Sequence, residues 1–256
     1  MGTVRLERDG HVATITLDRP ERRNAVDPET SQAMADAIVE IEADHEIRVA
    51  IVTGAGDVFC AGADLAAVAA GRTREIIDVE PGGFCGLVRS ERRTPVIAAV
   101  NGHALAGGFE LMLACDLVVA AADAEFGLPE VSRGIMAGAG GLVRLMQAVA
   151  PKRALELIMT GDRITAPEAH ELGLVNRVVE RAEVLAEARA LADRVAANAP
   201  VAVRESRWVA EQTLRHGETE GWAANERSWA VVLASEDAAE GPRAFTEKRA
   251  PVWTGR

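Results

Sequence analysis

Two glutamates in apolar surroundings are the residues of this 256-residue chain best suited to proton transfer. Glu110 lies within ALAGGFELMLACD (104–116), an apolar stretch of helical character, and Glu130 follows Pro129 in FGLPEVSRGI. A buried carboxylate is costly unless it is paired, hydrogen-bonded or protonated. Two carboxylates that flank a reacting atom can divide general acid and general base work. The alternative for Glu110 is a carboxylate whose hydrogen bonds are made within the core or at an interface. The alternative for Glu130 is a solvated loop residue or an acid at the start of a helix.

Small residues that precede the helical stretches predict a binding place for developing negative charge. Gly107 follows the apolar run TPVIAAVNG (94–102) and starts a helix, where backbone N–H groups lack intrahelical partners. The segment CAGAD (60–64) has the same character, and its Ala63 amide is a second candidate donor. Two such amides would form an oxyanion hole. The alternative is that the glycines are ordinary packing or turn glycines.

The elements that position these groups have the pattern of an α/β protein. Residues 49–56 and 94–102 are short continuous apolar runs, typical of buried parallel strands, and helical stretches follow them. A hairpin is predicted within residues 4–17, and Asp27 is a predicted N-cap of the next helix. Residues 72–84 have no clear period and are interpreted as a mobile loop. From Pro151 onward the pattern is mostly helical, which predicts a core domain over residues 1–195 and a helical region over 196–256.

Composition and the remaining motifs exclude several classes of function. The net charge of −11 disfavours nucleic acid and anionic membranes as partners, and no apolar run is long enough for a membrane helix. Three cysteines without metal-ligand spacing favour a reducing cytoplasm. No histidines are paired for metal binding, so no metal site is predicted. The run GAGG (138–141) lacks the remainder of a phosphate-binding motif. No serine lies in the Gly-x-Ser-x-Gly motif that forms the nucleophile elbow of many hydrolases.

The chain resembles the crotonase, or enoyl-CoA hydratase/isomerase, superfamily over nearly its whole length. The resemblance is carried by the two stretches around Glu110 and Glu130 and by ITLDRPERRNAV, VAIVTGAGDVFCAGADL and LIMTGDRITAPEAHELGLVNRVV. It implies an α/β fold, a crotonase-like spiral of ββα units with a C-terminal helical trimerisation region. It also implies a homo-oligomer, either a trimer or a dimer of trimers. The ending SEDAAEGPRAFTEKRAPVWTGR and the stretch EPGGFCGL resemble the carnitinyl-CoA dehydratase branch of that superfamily.

The resemblance also implies a substrate and residue roles. The substrate is an acyl-CoA thioester, and because coenzyme A is part of it no separate cofactor is expected. Ala63 and Gly107 match the two oxyanion-hole amides, and Glu110 and Glu130 match the two acids of hydratases. The positions that match the substrate- and CoA-binding pocket are Arg22, Arg23, Ala25, Ala61, Asp64, Leu65, Phe245 and Lys248.

Three other functions are weighed against hydration of an enoyl-CoA. An enoyl-CoA isomerase moves a double bond without water and uses a single carboxylate, so the presence of both Glu110 and Glu130 disfavours it. A non-catalytic acyl-CoA-binding protein would be expected to lack one of the two acids. A nucleic-acid-binding relative of the same fold conflicts with the charge of −11.

Overall fold

A computed structural model describes residues 2–256, which form two β-sheets surrounded by helices. The strands are β1 Val4–Asp9, β2 Val12–Leu17, β3 Val49–Gly54, β4 Val58–Cys60, β5 Val96–Val100, β6 His103–Leu105, β7 Leu117–Ala121, β8 Glu125–Gly127, β9 Arg163–Thr165 and β10 Arg177–Val179. The helices are α1 Pro28–Ala43, α2 Leu65–Ala69, α3 Thr73–Ile77, α4 Gly107–Ala114, α5 Gly141–Ala148, α6 Pro151–Thr160, α7 Ala166–Glu171, α8 Val184–Ala196, α9 Pro200–His216, α10 Glu218–Ala234 and α11 Glu236–Glu247.

The larger sheet has the strand order β1-β2-β3-β5-β7-β10 and is parallel except for the predicted β1–β2 hairpin. Every residue of β3 and β5 is buried, as expected of parallel strands that are covered on both faces. The smaller sheet has the order β4-β6-β8-β9, in which only β9 runs antiparallel. The sequence therefore predicted the parallel arrangement correctly.

Three consecutive repeats build both sheets together. The strand pairs β3–β4, β5–β6 and β7–β8 each place their first strand in the larger sheet and their second in the smaller one. The helices α2, α4 and α5 follow these pairs. This succession is a spiral of ββα units and confirms the predicted fold class. Its consequence is that the chain leaves β4, β6 and β8 at one edge, immediately before the residues proposed to do chemistry.

Short strands and one helix are absent from the sequence predictions. The sequence analysis predicts none of the strands β4, β6, β8 and β9, because three residues are too few to show a period. The interpretation of residues 72–84 as a loop is wrong for Thr73–Ile77, which forms α3. Its Ile76 is buried, and the carbonyl of Ile76 accepts a 2.7 Å hydrogen bond from Ser31 Oγ. The segment is therefore packed against α1, which begins after the predicted N-cap Asp27.

The C-terminal helices end in a tail that returns to the start of α11. Asp237 and Glu240, both buried carboxylates of α11, accept hydrogen bonds from tail amides: Thr254 N at 2.8 Å, Gly255 N at 3.1 Å and Val252 N at 2.9 Å. Trp253 Nε1 donates to the Ala197 carbonyl, which joins the tail to the end of α8. None of the helices within residues 2–256 combines the length and apolar character needed to cross a membrane.

Candidate active site

Two loops meet at the edge of the smaller sheet. β4 and β6 are parallel neighbours, so the residues that follow them, Ala61–Ala63 and Ala106–Gly107, emerge side by side. A Cβ placed on Gly62 would lie 2.9 Å from Gly107 N and 2.8 Å from the Ala106 methyl. Glycine at position 62 thus permits the close approach of the two loops, and its φ of +93° also favours glycine.

The amides of Ala63 and Gly107 are free to bind a ligand. Val26 pairs with the first loop through hydrogen bonds from Val26 N to Gly62 O and from Asp64 N to Val26 O, both 2.8 Å, so the intervening Ala63 amide is not used. Gly107 is the first residue of α4, where the N–H has no intrahelical acceptor. Within residues 2–256 neither amide donates a hydrogen bond. Two free amides on neighbouring loops are the kind of donor that an oxyanion hole would need.

A strained turn at Ala106 directs the Gly107 amide. Ala106 has φ 51° and ψ −128°, which is the first central position of a type II′ turn and normally requires glycine. Phe109 N and Glu110 N both donate to the Ala106 carbonyl, at 2.9 and 3.0 Å, and so hold this conformation. Such backbone strain persists only where the surrounding structure imposes it.

We expect Ala106→Gly to raise the free energy of unfolding by about 1 kcal/mol, because strain relief of about 1–3 kcal/mol exceeds the entropy cost of glycine. Chemical denaturation measures the change. The matched control is Ala190→Gly at an exposed position of α8, which should instead lower stability by about 1 kcal/mol. A loss of stability in both variants would contradict the strain at Ala106.

Glu110 is buried on α4 and held by a glycine-rich loop. Its side chain is 2% exposed, and Oε1 accepts hydrogen bonds from the amides of Ala139 and Gly141, each 2.8 Å long. A Cβ on Gly141 would lie 2.8 Å from Glu110 Cγ, so this contact needs glycine. The run 138–141, which lacks a complete phosphate-binding motif, therefore serves as a clamp for one carboxylate oxygen.

Glu130 is the second buried carboxylate and lies in a single 3₁₀ turn over Pro129–Arg133. Its side chain is 7% exposed, and the buried Oε2 has no hydrogen-bond partner. Because no protein group within residues 2–256 donates to this buried oxygen, its surroundings favour the protonated carboxyl over the carboxylate.

The two carboxyl groups influence each other electrostatically. Burial raises the pKa of Glu130 to about 7, and the nearby charge of Glu110 raises it as well. Burial also raises the pKa of Glu110, while the amides of Gly141 and Ala139 and the charge of Arg144 oppose that rise. The two carboxyl groups therefore lie close enough to interact, which the sequence alone did not show. Neighbouring carboxyls with different environments can divide acid and base roles near neutral pH.

Most of the predicted pocket residues lie beside the first loop. Arg22 and Arg23 are exposed, and the Arg23 carbonyl accepts a 3.1 Å hydrogen bond from Ala61 N. Asp64 caps α2 by accepting from Ala66 N at 3.0 Å, and Leu65, the next residue, is 54% exposed. These residues form a rim around Ala63.

Arg19 and Asn24 support this rim but were not predicted. The Arg19 guanidinium donates to the carbonyl of Ala25 and contacts the carboxylates of Asp27 and Asp64 at 3.0 and 3.3 Å. The buried Asn24 amide donates to the carbonyls of two residues near β4, Ala55 at 2.9 Å and Val58 at 2.7 Å. The motif RPERRNA contained both residues, but nothing in its composition distinguished a bridging arginine from a ligand-binding one.

Phe245 and Lys248 lie on and just after α11. Phe245 is 86% exposed, so this aromatic ring packs little against its own chain. Lys248 adopts the left-handed conformation that ends the helix. Within residues 2–256, no hydrogen bond joins Phe245 or Lys248 to the rim around Ala63.

Comparison with known proteins identifies the family of this chain. The enoyl-CoA hydratase/isomerase family matches residues 7–256. A carnitinyl-CoA dehydratase of Salmonella typhi is 45% identical over 99% of both chains. Two solved structures cover 100% of both chains: an enoyl-CoA hydratase from Mycobacterium tuberculosis H37Rv, with 42% identity and a TM-score of 0.94, and a carnitinyl-CoA hydratase from Mycobacterium avium, with 46% identity and a TM-score of 0.80. The chain therefore belongs to the enoyl-CoA hydratase/isomerase family.

Proposed function

We propose that this chain is a hydro-lyase that adds water to, or eliminates it from, the α,β bond of an acyl-CoA thioester. The observation that carries this proposal is the pair of buried, interacting carboxyls at Glu110 and Glu130. Water addition needs one group to take a proton from water and another to deliver a proton to carbon. The adjacent free amides of Ala63 and Gly107 supply the donors for the thioester oxygen.

The two glutamates have environments that suit opposite roles. Two amides donate to Glu110 Oε1, which favours the carboxylate, so Glu110 is assigned as the base toward water. Glu130 has an unpartnered oxygen and a pKa of about 7, so it is assigned as the acid. The water oxygen bonds to the β carbon while Glu110 takes its proton. The C=C electron pair moves toward the thioester oxygen, and the α carbon then receives the proton of Glu130.

Coenzyme A is assigned to the rim around Ala63. Exposed Arg22 and Arg23 offer positive charge for its phosphates in a chain whose net charge is −11. The exposed Phe245 and Lys248 are assigned to the CoA of a neighbouring copy, because a ring that is 86% exposed has no partner in its own chain. This assignment requires a homo-oligomer, a trimer or a dimer of trimers. The exposed Trp222 and Trp229 of α10 support such an association.

A reducing, cytoplasmic location is part of this proposal. All three cysteines are free. The reaction needs no cofactor, since both the acid and the base come from the protein and coenzyme A arrives with the substrate.

Carnitinyl-CoA is the proposed substrate within this class, because relatives at 45% identity bear that name. The assay follows the absorbance of the conjugated enoyl-thioester with crotonobetainyl-CoA, crotonyl-CoA and a neutral analogue in which carbon replaces the ammonium nitrogen. We expect a higher kcat/KM for crotonobetainyl-CoA than for the neutral analogue of the same shape. Equal values would contradict recognition of the ammonium group and leave a general hydratase. Migration of the double bond without hydration would favour the isomerase instead.

A further inference from the structure

A cavity of about 480 Å³, which neither Ala63 nor Gly107 lines, lies between the C-terminal end of α4, helix α5 and helix α9. Its charged lining comprises Asp116, Arg144, Arg207, Glu211 and Arg215, and we call it the arginine cavity. Neither Glu110 nor Glu130 lines it. The arginine cavity thus contains neither of the two proposed acid–base groups, although Arg144 in its lining lies near enough to Glu110 to influence the pKa of that glutamate.

The guanidinium groups of the arginine cavity outnumber its carboxylates. Arg207 Nε contacts Asp116 at 2.8 Å and its NH1 contacts Glu211 at 3.0 Å, and Arg215 contacts the same Glu211 at 2.5 Å. Asp116 also forms an ion pair with the buried Arg92, in which NH2 of Arg92 lies 3.2 Å from Oδ2 of Asp116. Three arginines thus share two carboxylates before Arg144 is counted.

Arg144 has no carboxylate partner in the described chain. Its guanidinium donates to the Val88 carbonyl. Burial lowers the pKa of Arg144, and the positive charges of Arg215 and Arg92 lower it further. Arg92 is only 4% exposed, and its Nε–H is buried without an acceptor. Four arginines around two carboxylates leave an excess of two positive charges.

The uncharged part of the lining is largely apolar. It includes Leu113, Ala148 and Leu214, which belong to three different helices. Guanidinium groups bind carboxylates through charge-assisted hydrogen bonds, and apolar walls favour a hydrocarbon portion. A cavity of this volume exceeds the space that a bare inorganic oxyanion fills. We propose that the arginine cavity binds a small organic carboxylate, with its charged end at Arg144 and Arg215 and its short apolar chain against the leucines.

Calorimetric titration of the full chain with butyrate tests this proposal, with butyryl-CoA present to occupy the active site. Butyramide is the neutral control and inorganic phosphate the charge-only control. Arg215→Met removes one charge at the cavity, and Arg215 lies outside the proposed catalytic groups. The matched control is Arg227→Met, which removes an exposed charge of α10 that pairs with Glu220.

We expect butyrate to bind, butyramide not to bind, and Arg215→Met to weaken butyrate at least about tenfold while Arg227→Met leaves it unchanged. Absence of butyrate binding to the unaltered protein would overturn the proposal. This result is expected if a second copy of the chain covers the cavity in solution. Binding that survives Arg215→Met would overturn it too, since the ligand would then lie elsewhere. Phosphate binding as tight as butyrate binding would overturn the assignment of an organic ligand.

Discussion

Glu110→Gln and Glu130→Gln are each expected to lower kcat for enoyl-CoA hydration by about 10²- to 10⁴-fold, the range that positioned acid–base groups contribute. Glutamine keeps the shape of each side chain but can neither accept the proton of water nor deliver one to carbon. At Glu110 the amide oxygen can still accept from Ala139 N and Gly141 N, so the loop that holds the side chain should persist. The measurement is the initial rate of loss of enoyl-thioester absorbance.

A matched control and a double variant sharpen this test. Glu171→Gln changes the same chemistry at an exposed position of α7 and should leave kcat unaltered. The variant that lacks both carboxyls should be only slightly slower than the slower single variant, because the two groups act as a unit in the same hydration reaction. Rates close to that of the unaltered enzyme in either single variant would show that the glutamate concerned has a structural role.

Glu130→Gln is also expected to stabilise the protein at alkaline pH, by about 2 kcal/mol at pH 8. The pKa of Glu130 in the folded state is about 7, above its ordinary value of 4.5. Between pH 4.5 and pH 7 the folded state keeps a proton on Glu130 that the unfolded state has released. The free energy of unfolding therefore falls as the pH rises through this interval. The full shift corresponds to about 3 kcal/mol, and an unpartnered buried amide offsets about 1 kcal/mol of the gain.

Urea denaturation at pH 5 and pH 8 measures this gain. The difference between Glu130→Gln and the unaltered protein should be small at pH 5 and grow toward pH 8, because only the carboxyl loses its proton in that interval. Glu171→Gln should show no such growth. If Glu130→Gln were equally stable or less stable at pH 8, the burial of Glu130 would carry no electrostatic cost. Activity and stability would then not oppose each other at this position.

The sequence was sufficient for the long buried strands and for the selection of the two acids as candidates, but it did not show that the two acids lie close together. The continuous apolar runs of β3 and β5 exceed the length at which a strand is recognisable, and both are fully buried. Glu110 was conspicuous because a charged residue interrupts an apolar helix. The three-residue strands β4, β6 and β8 were missed, although they order the loops that carry Ala63, Gly107 and Glu130. These strands form because neighbouring strands of the sheet pair with them, and segments of three residues show no periodicity in the sequence.

Long-range contacts account for the site residues that the sequence did not reveal. Ala139 and Gly141 contribute through backbone amides, so their side chains give no chemical signal. Arg144 is one of many arginines, and only the fold shows that its charge lies near Glu110. The division at residue 195, the oligomeric state and the roles of the named residues stay predictions.

The proposed oxyanion donors are backbone groups, whereas the proposed acid and base are side chains. Among single substitutions only one to proline removes an N–H from the chain, so mutation rarely deletes the amides of Ala63 or Gly107. One nucleotide change can replace either glutamate. Mutation therefore seldom removes the groups that would activate the thioester, whereas it readily replaces the groups that would donate and accept protons. A scaffold of this kind can acquire a new reaction on CoA thioesters without first rebuilding its means of stabilising an enolate.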